Sequence, residues 1–369
     1  MRRVIYFICR EDIGLLPPAL SNLILLAEKG ERIVLITYTI SDSLRSNIEK
    51  YGIKIIICKN KIIRGNNIIS KVARWCLFKP FVFSNIKHIQ KKDLLWIATA
   101  NSAIALGYKI INYKYILQIN ELYDKFRRYL ILLPKFALNA SAVIVPEENR
   151  AAIIRCWFKL NKTPYVLPNK PIYHPRYPDD QKVKILIGKE LFQCMKSKKV
   201  IIYQGALTKA QKNIINIAEV VNSLTEWQLV IMTNQMESPL ITEILKKNSN
   251  VILIPRIEPP DHLYITALAR IGIAIYDYSD LNHVFCAPNK IWEYAGFGIP
   301  ILGEDIPGLS NIINKYKNGI CTDLNEREEI LNAIIDIENN YEIVSKNSIE
   351  LFESLNQNKI IAKIIDNII

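Results

Sequence analysis

The sequence predicts an α/β protein built from two Rossmann-like domains, and three observations carry that reading. A chain of 369 residues exceeds one ordinary hydrophobic core. Short β-branched runs alternate with helix-like segments, and the alternation occurs twice. Between the two series lies LPNKPIYHPRYPDD (Leu167–Asp180), which holds four prolines and no periodicity, as a boundary does. The expected division is 1–175, 176–345, and a C-terminal helix over 346–369 with the option of packing back on the first domain.

In the first half, VIYFICR (Val4–Arg10) reads as a buried strand, followed by a loop containing Gly14. PPALSNLILLAEKG then reads as a helix, with proline at its start and Gly30 past its end. RIVLITYT and IKIIIC are β-branched runs that suit parallel strands covered on both faces, and DLLWIAT, YKYILQI and ASAVIVP continue the series. In the second half KVIIYQG (Lys199–Gly205) is a strand ending in a glycine turn. NIINIAEVVNSL is an amphipathic helix, and WQLVIMT, NVILIP and IGIAIYD are strands. PNKIWEYAG opens a helix, PILG is the next strand, and the chain reads as helical after Asp323. Two such sheets predict a central cleft between the carboxyl ends of their strands, where doubly wound sheets take ligands.

Composition narrows the class. Seven scattered cysteines without a CxxC pair support neither a disulfide framework nor a zinc knuckle, and four dispersed histidines argue against a His-built metal site. A reducing, cytoplasmic setting is expected. VIYFIC is only six residues long and stops at Arg10-Glu11-Asp12, too short for a secretory signal. YLILLPKFALNASAVIVP (Tyr129–Pro146) is broken by Pro134, Lys135 and Asn139, whereas a membrane span needs about 20 nearly uninterrupted apolar residues.

The net charge of +13 is unevenly placed. Through Pro175 there are 28 Lys and Arg against 11 Asp and Glu; from Arg176 onward there are 20 against 24. Within Lys54–Lys92, Lys59, Lys61, Arg64, Lys71, Arg74, Lys79 and Lys87 stand among Trp75, Phe78, Phe81 and Phe83. That mixture suits an anionic membrane surface. A solvated lysine-rich face is the plainer reading. Nucleic acid is not expected, because no recognition motif accompanies the charge.

The segment richest in chemistry is PNKIWEYAGFGIP, residues 288 to 300. A helix beginning at Pro288 or Asn289 would present free N–H groups to a diphosphate, and Lys290 adds a charge in its first turn. Glu293 can accept hydrogen bonds from two neighbouring hydroxyls, as on a ribose. Gly296 and Gly298 permit a tight turn into the next strand. The plain alternative is an ordinary helix start with a surface lysine and glutamate.

PNKIWEYAGFGIPIL, followed by PGLSNIINKYKNGICTD, resembles the donor-domain signature of GT-B-fold glycosyltransferases of the retaining group 1, or family 4, type. The resemblance extends to IIYQGAL, NVILIPRIEPPDHL, IGIAIYDYS, INELYD and VIVPEENRA, nearly the whole chain. It implies GT-B architecture, with two Rossmann-like domains facing a central cleft. The implied reaction is transfer of a sugar from a nucleotide diphosphate donor, with retention and without a bound metal or other cofactor. Glu293 would hold the ribose, Lys290 and the Gly205 turn would lie near the diphosphate, and Arg256–Ile257 near the base. Thr233, Asn234, Pro288 and Asn289 would line the donor and Gly14 would let the first domain approach it; Asn120, Glu121, Lys290 and Glu293 would be the catalytic set, with Glu121 meeting the acceptor or the donor sugar.

Departures from the family pattern bear on catalysis. Phe285 stands where the first of two spaced glutamates is usual, and Ala206 and Gln211 stand where an arginine and a lysine are common. Lys209 and Lys212 are close enough in sequence to substitute, and Asn120 replaces a frequent histidine before ELYD. The implied acceptor is a glycan or a lipid-diphosphate-linked glycan of bacterial surface polysaccharide assembly (O-antigen, capsule or exopolysaccharide), at the inner face of the plasma membrane. Two alternatives stay open: a nucleotide-sugar 2-epimerase, and a degenerate protein that binds nucleotide without catalysis. DYSD (Asp277–Asp280) follows a strand, but its spacing does not suit a metal-binding aspartate pair.

Overall fold

A computed structural model describes residues 3–58, 68–208 and 211–368. The chain forms two compact units, one of Met1–Ile172 with Asn356–Ile369, the other of Tyr173–Leu355. Each is a parallel sheet with helices, a Rossmann-like α/β domain.

The first unit holds β1 (Val4–Cys9), β2 (Arg32–Thr37), β3 (Lys54–Ile57), β4 (Leu94–Ile97), β5 (Tyr115–Gln118), β6 (Ala142–Val145) and β7 (Tyr165–Val166), in the order β3-β2-β1-β4-β5-β6-β7. β1 is central, pairing in parallel with β2 (Ile5 opposite Ile33) and with β4 (Ile5 opposite Leu94). The second unit holds β8 (Lys199–Gln204), β9 (Trp227–Thr233), β10 (Val251–Pro255), β11 (Ile271–Ala274), β12 (Ile301–Glu304) and β13 (Gly319–Thr322), in the order β10-β9-β8-β11-β12-β13. In both sheets the strand order reverses beside the first strand of the unit, which makes the carboxyl edge there the usual place for a ligand.

The strands read as continuous apolar runs because both faces are covered. On β8, Val200 and Ile202 enter one core with Trp292 and Tyr294, while Ile201 and Tyr203 enter the other with Ile214 and Ile334. Such double burial is the rule for parallel sheets.

The structure moves two expected boundaries. The first division falls between Ile172 and Tyr173 rather than after Pro175, because His174 and Arg176 bond to the second unit at Glu293 and Gly296. The expected single helix over 346–369 is two helices. Tyr341–Ser354 stays with the second unit, its buried Ser348 donating toward the Ile299 carbonyl at 3.3 Å. Leu355 and Asn356 are extended, and Asn356 caps a new helix, Gln357–Asp366, by accepting from the Lys359 N–H at 3.0 Å. That helix belongs to the first unit, where Ile361, Ile364 and Ile365 are fully buried.

The basic, aromatic segment also needs correction. Phe78 and Phe83 are buried in the core, so they are not part of a surface mixture with the lysines. Trp75 has two guanidinium groups over its ring, Arg10 at 4.0 Å and Arg128 at 5.5 Å from the centroid. Lys79 and Lys87 are exposed; Lys59, Lys61, Arg64 and the side chains of Lys71 and Arg74 lie outside the described residues.

Candidate functional site

The site is built on the carboxyl end of β8. Its last residue, Gln204, is polar and buried after four apolar positions. Gly205 follows at φ +136°, and a Cβ there would lie 3.3 Å from the Lys290 ammonium nitrogen. Glycine therefore serves both the turn and the approach of the lysine.

Lys290 sits in the first turn of the helix Asn289–Ala295, its Nζ 4.7 Å from the centroid of the Tyr203 ring. Burial pulls its pKa down to about 8, against the opposing pull of the Glu293 charge. One turn later Glu293 points its carboxylate into a polar chain. Thr266 Oγ1 donates to Gln204 Oε1 at 2.7 Å, and Gln204 Nε2 donates to Glu293 Oε2 at 2.5 Å. The other oxygen, Oε1, is 3.4 Å from His262 Nε2. Burial alone would raise the pKa of Glu293. The His262 contact, the Lys290 charge and the Gln204 hydrogen bond outweigh it and hold the carboxyl below its usual range. The result is a buried carboxylate kept ionised beside an ammonium.

A second histidine supports this helix from behind. His174 Nδ1 accepts from the Arg176 N–H at 3.1 Å, so the proton sits on Nε2, which donates to the Glu293 carbonyl at 3.0 Å. Burial lowers its pKa to about 4, which keeps the ring neutral at neutral pH. A Cβ on Gly296 would lie 2.4 Å from that same Nε2, so only glycine admits the ring there. His262 differs: its Nδ1 is buried with no hydrogen-bond partner among the described residues. With Nε2–H directed at Glu293, this nitrogen is an acceptor that a ligand hydroxyl or amide could satisfy.

Of the residues expected from sequence, Gly205, Lys290 and Glu293 come together, with Pro288 and Asn289 opening the helix. Lys212 and Asn234 are exposed. Arg256 is exposed and pairs with Glu258 at 3.2 Å, and Ile257 packs against the core. Thr233 is buried, its hydroxyl accepting from the Gln235 N–H at 3.3 Å, a turn-building role. Gln211 is spent on its own loop, accepting from the Thr208 hydroxyl at 2.6 Å and N–H at 3.0 Å. Lys209 lies outside the described residues. In DYSD, Asp277 Oδ1 is 2.7 Å from His283 Nδ1 and Asp280 accepts from the His283 N–H at 2.7 Å, so both aspartates fasten a turn.

In the first unit, Asn120 and Glu121 follow β5. The buried Arg150 donates to the Asn120 carbonyl and lies 3.4 Å from a Glu121 oxygen, while Gln118 Nε2 donates to the Asn120 side chain at 3.0 Å. At Gly14 a Cβ would lie 2.9 Å from Leu44 Cδ2, the movable end of that side chain, so packing favours a small residue there.

Residues 198–340 match the family described as Glycosyl transferases group 1. The matched stretch contains Gly205, His262, Lys290 and Glu293. No curated protein matches the chain by sequence. Among solved structures, Alr3699/HepE of Anabaena in complex with UDP and glucose is similar over 99% of this chain and 98% of its own, at 12% identity and TM-score 0.72. Sucrose-phosphate synthase of Thermosynechococcus elongatus aligns over 98% of this chain and 97% of its own, at 15% identity and TM-score 0.72. A putative UDP-N-acetylglucosamine 2-epimerase of Listeria monocytogenes aligns over 95% and 91%, at 14% identity and TM-score 0.58. The fold is that of the GT-B glycosyltransferases.

Proposed function

We propose that the chain is a glycosyltransferase that moves a sugar from a nucleotide diphosphate donor to a glycan acceptor. The observation that carries this reading is the pair formed by Lys290 and the ionised Glu293 beside the Gly205 turn, inside the group 1 segment. Glu293 would accept from the two ribose hydroxyls, and His262 Nδ1 would take a third donor from the ligand. As the glycosyl–phosphate bond breaks, the sugar becomes oxocarbenium-like and negative charge builds on the diphosphate. Lys290 is placed to stabilise that charge, in a reaction we take to be retaining and metal-independent. UDP is the first nucleotide to try, since Alr3699/HepE was solved with it.

The finer reading is a lipid-diphosphate-linked or glycan acceptor in bacterial surface polysaccharide assembly, met at the inner face of the plasma membrane. Its support is the basic character of the chain before residue 176, with Lys79 and Lys87 exposed. Among the described residues no helix is long and apolar enough to cross a membrane.

A screen of nucleotide sugars for thermal stabilisation tests the donor site, because a ligand at about 100 times its Kd adds about 2.7 kcal/mol to stability. Failure of every nucleoside diphosphate to raise the Tm would sink the reading. The fold likeness to the epimerase favours one alternative, in which donor alone yields an epimerised sugar. The absence of cations at 206 and 211 and of a carboxylate at 285 favours another, in which nucleotide binds without turnover on any acceptor.

A further inference from the structure

One short helix of the second unit, His262–Thr266, grips both oxygens of a single carboxylate. Its first residue brings His262 Nε2 to 3.4 Å from Glu293 Oε1. Its last residue, one turn later, reaches the other oxygen through Gln204. The Thr266 hydroxyl donates to Gln204 Oε1 at 2.7 Å, and Gln204 Nε2 donates to Glu293 Oε2 at 2.5 Å. Three separate elements therefore meet at Glu293: the end of β8, the His262–Thr266 helix and the Asn289–Ala295 helix.

Packing does not call for polar side chains at these two places. Gln204 lies on the face of β8 that carries Val200 and Ile202, and it stands opposite Met232 in the sheet; those three neighbours belong to one apolar core. Thr266 is fully buried and Gln204 nearly so. An apolar pair of the same shape would fill the space at little or no cost, since neither member would then need a partner.

What the polar pair adds is direction. Amide and carboxylate groups turn easily about their last torsion. The Thr266 hydroxyl has one proton and two acceptors in reach, Gln204 Oε1 at 2.7 Å and the His262 carbonyl at 3.1 Å, and the shorter bond takes it. Gln204 is then left to present its NH2 to Glu293. The flipped amide would set an oxygen against an ionised carboxylate oxygen at 2.5 Å. Each carboxylate oxygen has two lone-pair sites. Gln204 takes one on Oε2 and His262 one on Oε1, which leaves one on each oxygen, side by side, for two hydroxyls on adjacent carbons.

We infer that Gln204 and Thr266 are positioning residues of the donor site, resting on the ribose contact proposed for Glu293, and that they act through Glu293 by fixing the plane of its carboxylate. Selectivity for a ribose over a sugar without those hydroxyls thus depends on two residues behind the carboxylate as well as on the carboxylate itself.

Full-chain calorimetry with UDP, GDP, ADP and CDP first finds the tightest binder, which is then compared with its dideoxyribo analogue, lacking both ribose hydroxyls. The wild type should prefer the ribonucleotide by about tenfold or more, the scale of hydrogen bonds to a charged group. Thr266→Val keeps the shape and removes the donor. It should weaken the ribonucleotide by about three- to tenfold and leave the analogue within about twofold, and Thr266→Ser, which keeps the hydroxyl, should restore most of the preference. Gln204→Met should act in the same direction and serves if Thr266→Val does not fold. A loss shared equally by both ligands would mark the pair as structural and overturn the inference. So would an unchanged preference in the folded variants, or failure of both to fold in circular dichroism melts. Those three outcomes leave the Glu293 contact standing. A wild type that binds nucleoside diphosphates without preferring ribose removes that contact and the inference with it, and one that binds none removes the donor site itself.

Discussion

Glu121 in the first unit and Glu293 in the second both follow the carboxyl side of a strand series and both stand near a cation, yet their settings are opposite. The Glu293 side chain is 12% exposed and held by Gln204 and His262; the Glu121 side chain is 49% exposed, and the buried member of its pair is Arg150. In the second unit the surroundings keep a carboxylate charged and aimed. In the first they keep an arginine buried, and the glutamate lies outside at its margin. A glutamate next to a cation therefore says little until it is known which partner the protein has enclosed.

Substitutions can sharpen or break this contrast. The largest effect is expected from Glu293→Gln, which keeps the shape but removes the charge: nucleotide affinity and kcat/KM should each fall tenfold or more, since hydrogen bonds to a charged group contribute about 1.5–3 kcal/mol. Calorimetry with UDP and a turnover assay would read it, and unchanged values in a folded variant would remove the ribose assignment.

Next comes Gly296→Ala, which sets a methyl against His174 and should lower stability by about 1–3 kcal/mol in urea unfolding. An unaltered midpoint would mean that the ring is not held as described. Arg150→Met should cost a similar amount, about 1–3 kcal/mol, by removing the buried guanidinium that donates to the partly buried Asn120 carbonyl. Glu121→Gln should change stability by less than about 1 kcal/mol, as expected for a half-exposed ion pair. Were Glu121→Gln the more damaging of the two, the contrast would be reversed.

A pH series offers a smaller test. With its folded pKa near 8, below the ordinary lysine value, Lys290 loses its proton as pH rises through 8. Diphosphate affinity should then drop by roughly tenfold between pH 7 and 9. The same shift has the opposite sign for folding. The unfolded chain retains that proton up to the ordinary lysine pKa, so the destabilising contribution of Lys290 is present below pH 8 and relieved above it. Flat affinity over that window would show that Lys290 does not meet the anion.

How much of this was legible beforehand follows from which interactions are local. The long strands announced themselves because burial on both faces leaves runs such as VIYFIC and WQLVIMT almost wholly apolar. β7 and β13 did not, one being two residues long and the other a four-residue run that starts with glycine. The break at Leu355–Asn356 has neither proline nor glycine to mark it; its cause is a capping asparagine and three isoleucines whose partners lie in the first unit. Lys290 and Glu293 were readable because one helix carries both. Gln204 and His174 were not, since they meet Glu293 across 89 and 119 residues of sequence. A faint signal existed for Gln204, a lone polar residue closing an apolar strand.

The return of Gln357–Asp366 to the first unit has a consequence for synthesis. A chain emerging from the ribosome presents the seven strands of the first unit early, but the helix that brings Ile361, Ile364 and Ile365 into its core arrives only after all of the second unit. The second unit is continuous in sequence and can complete itself as soon as Leu355 is out. The part made first is thus finished last, and until then the apolar surface that these isoleucines cover stays exposed to whatever else can bind it.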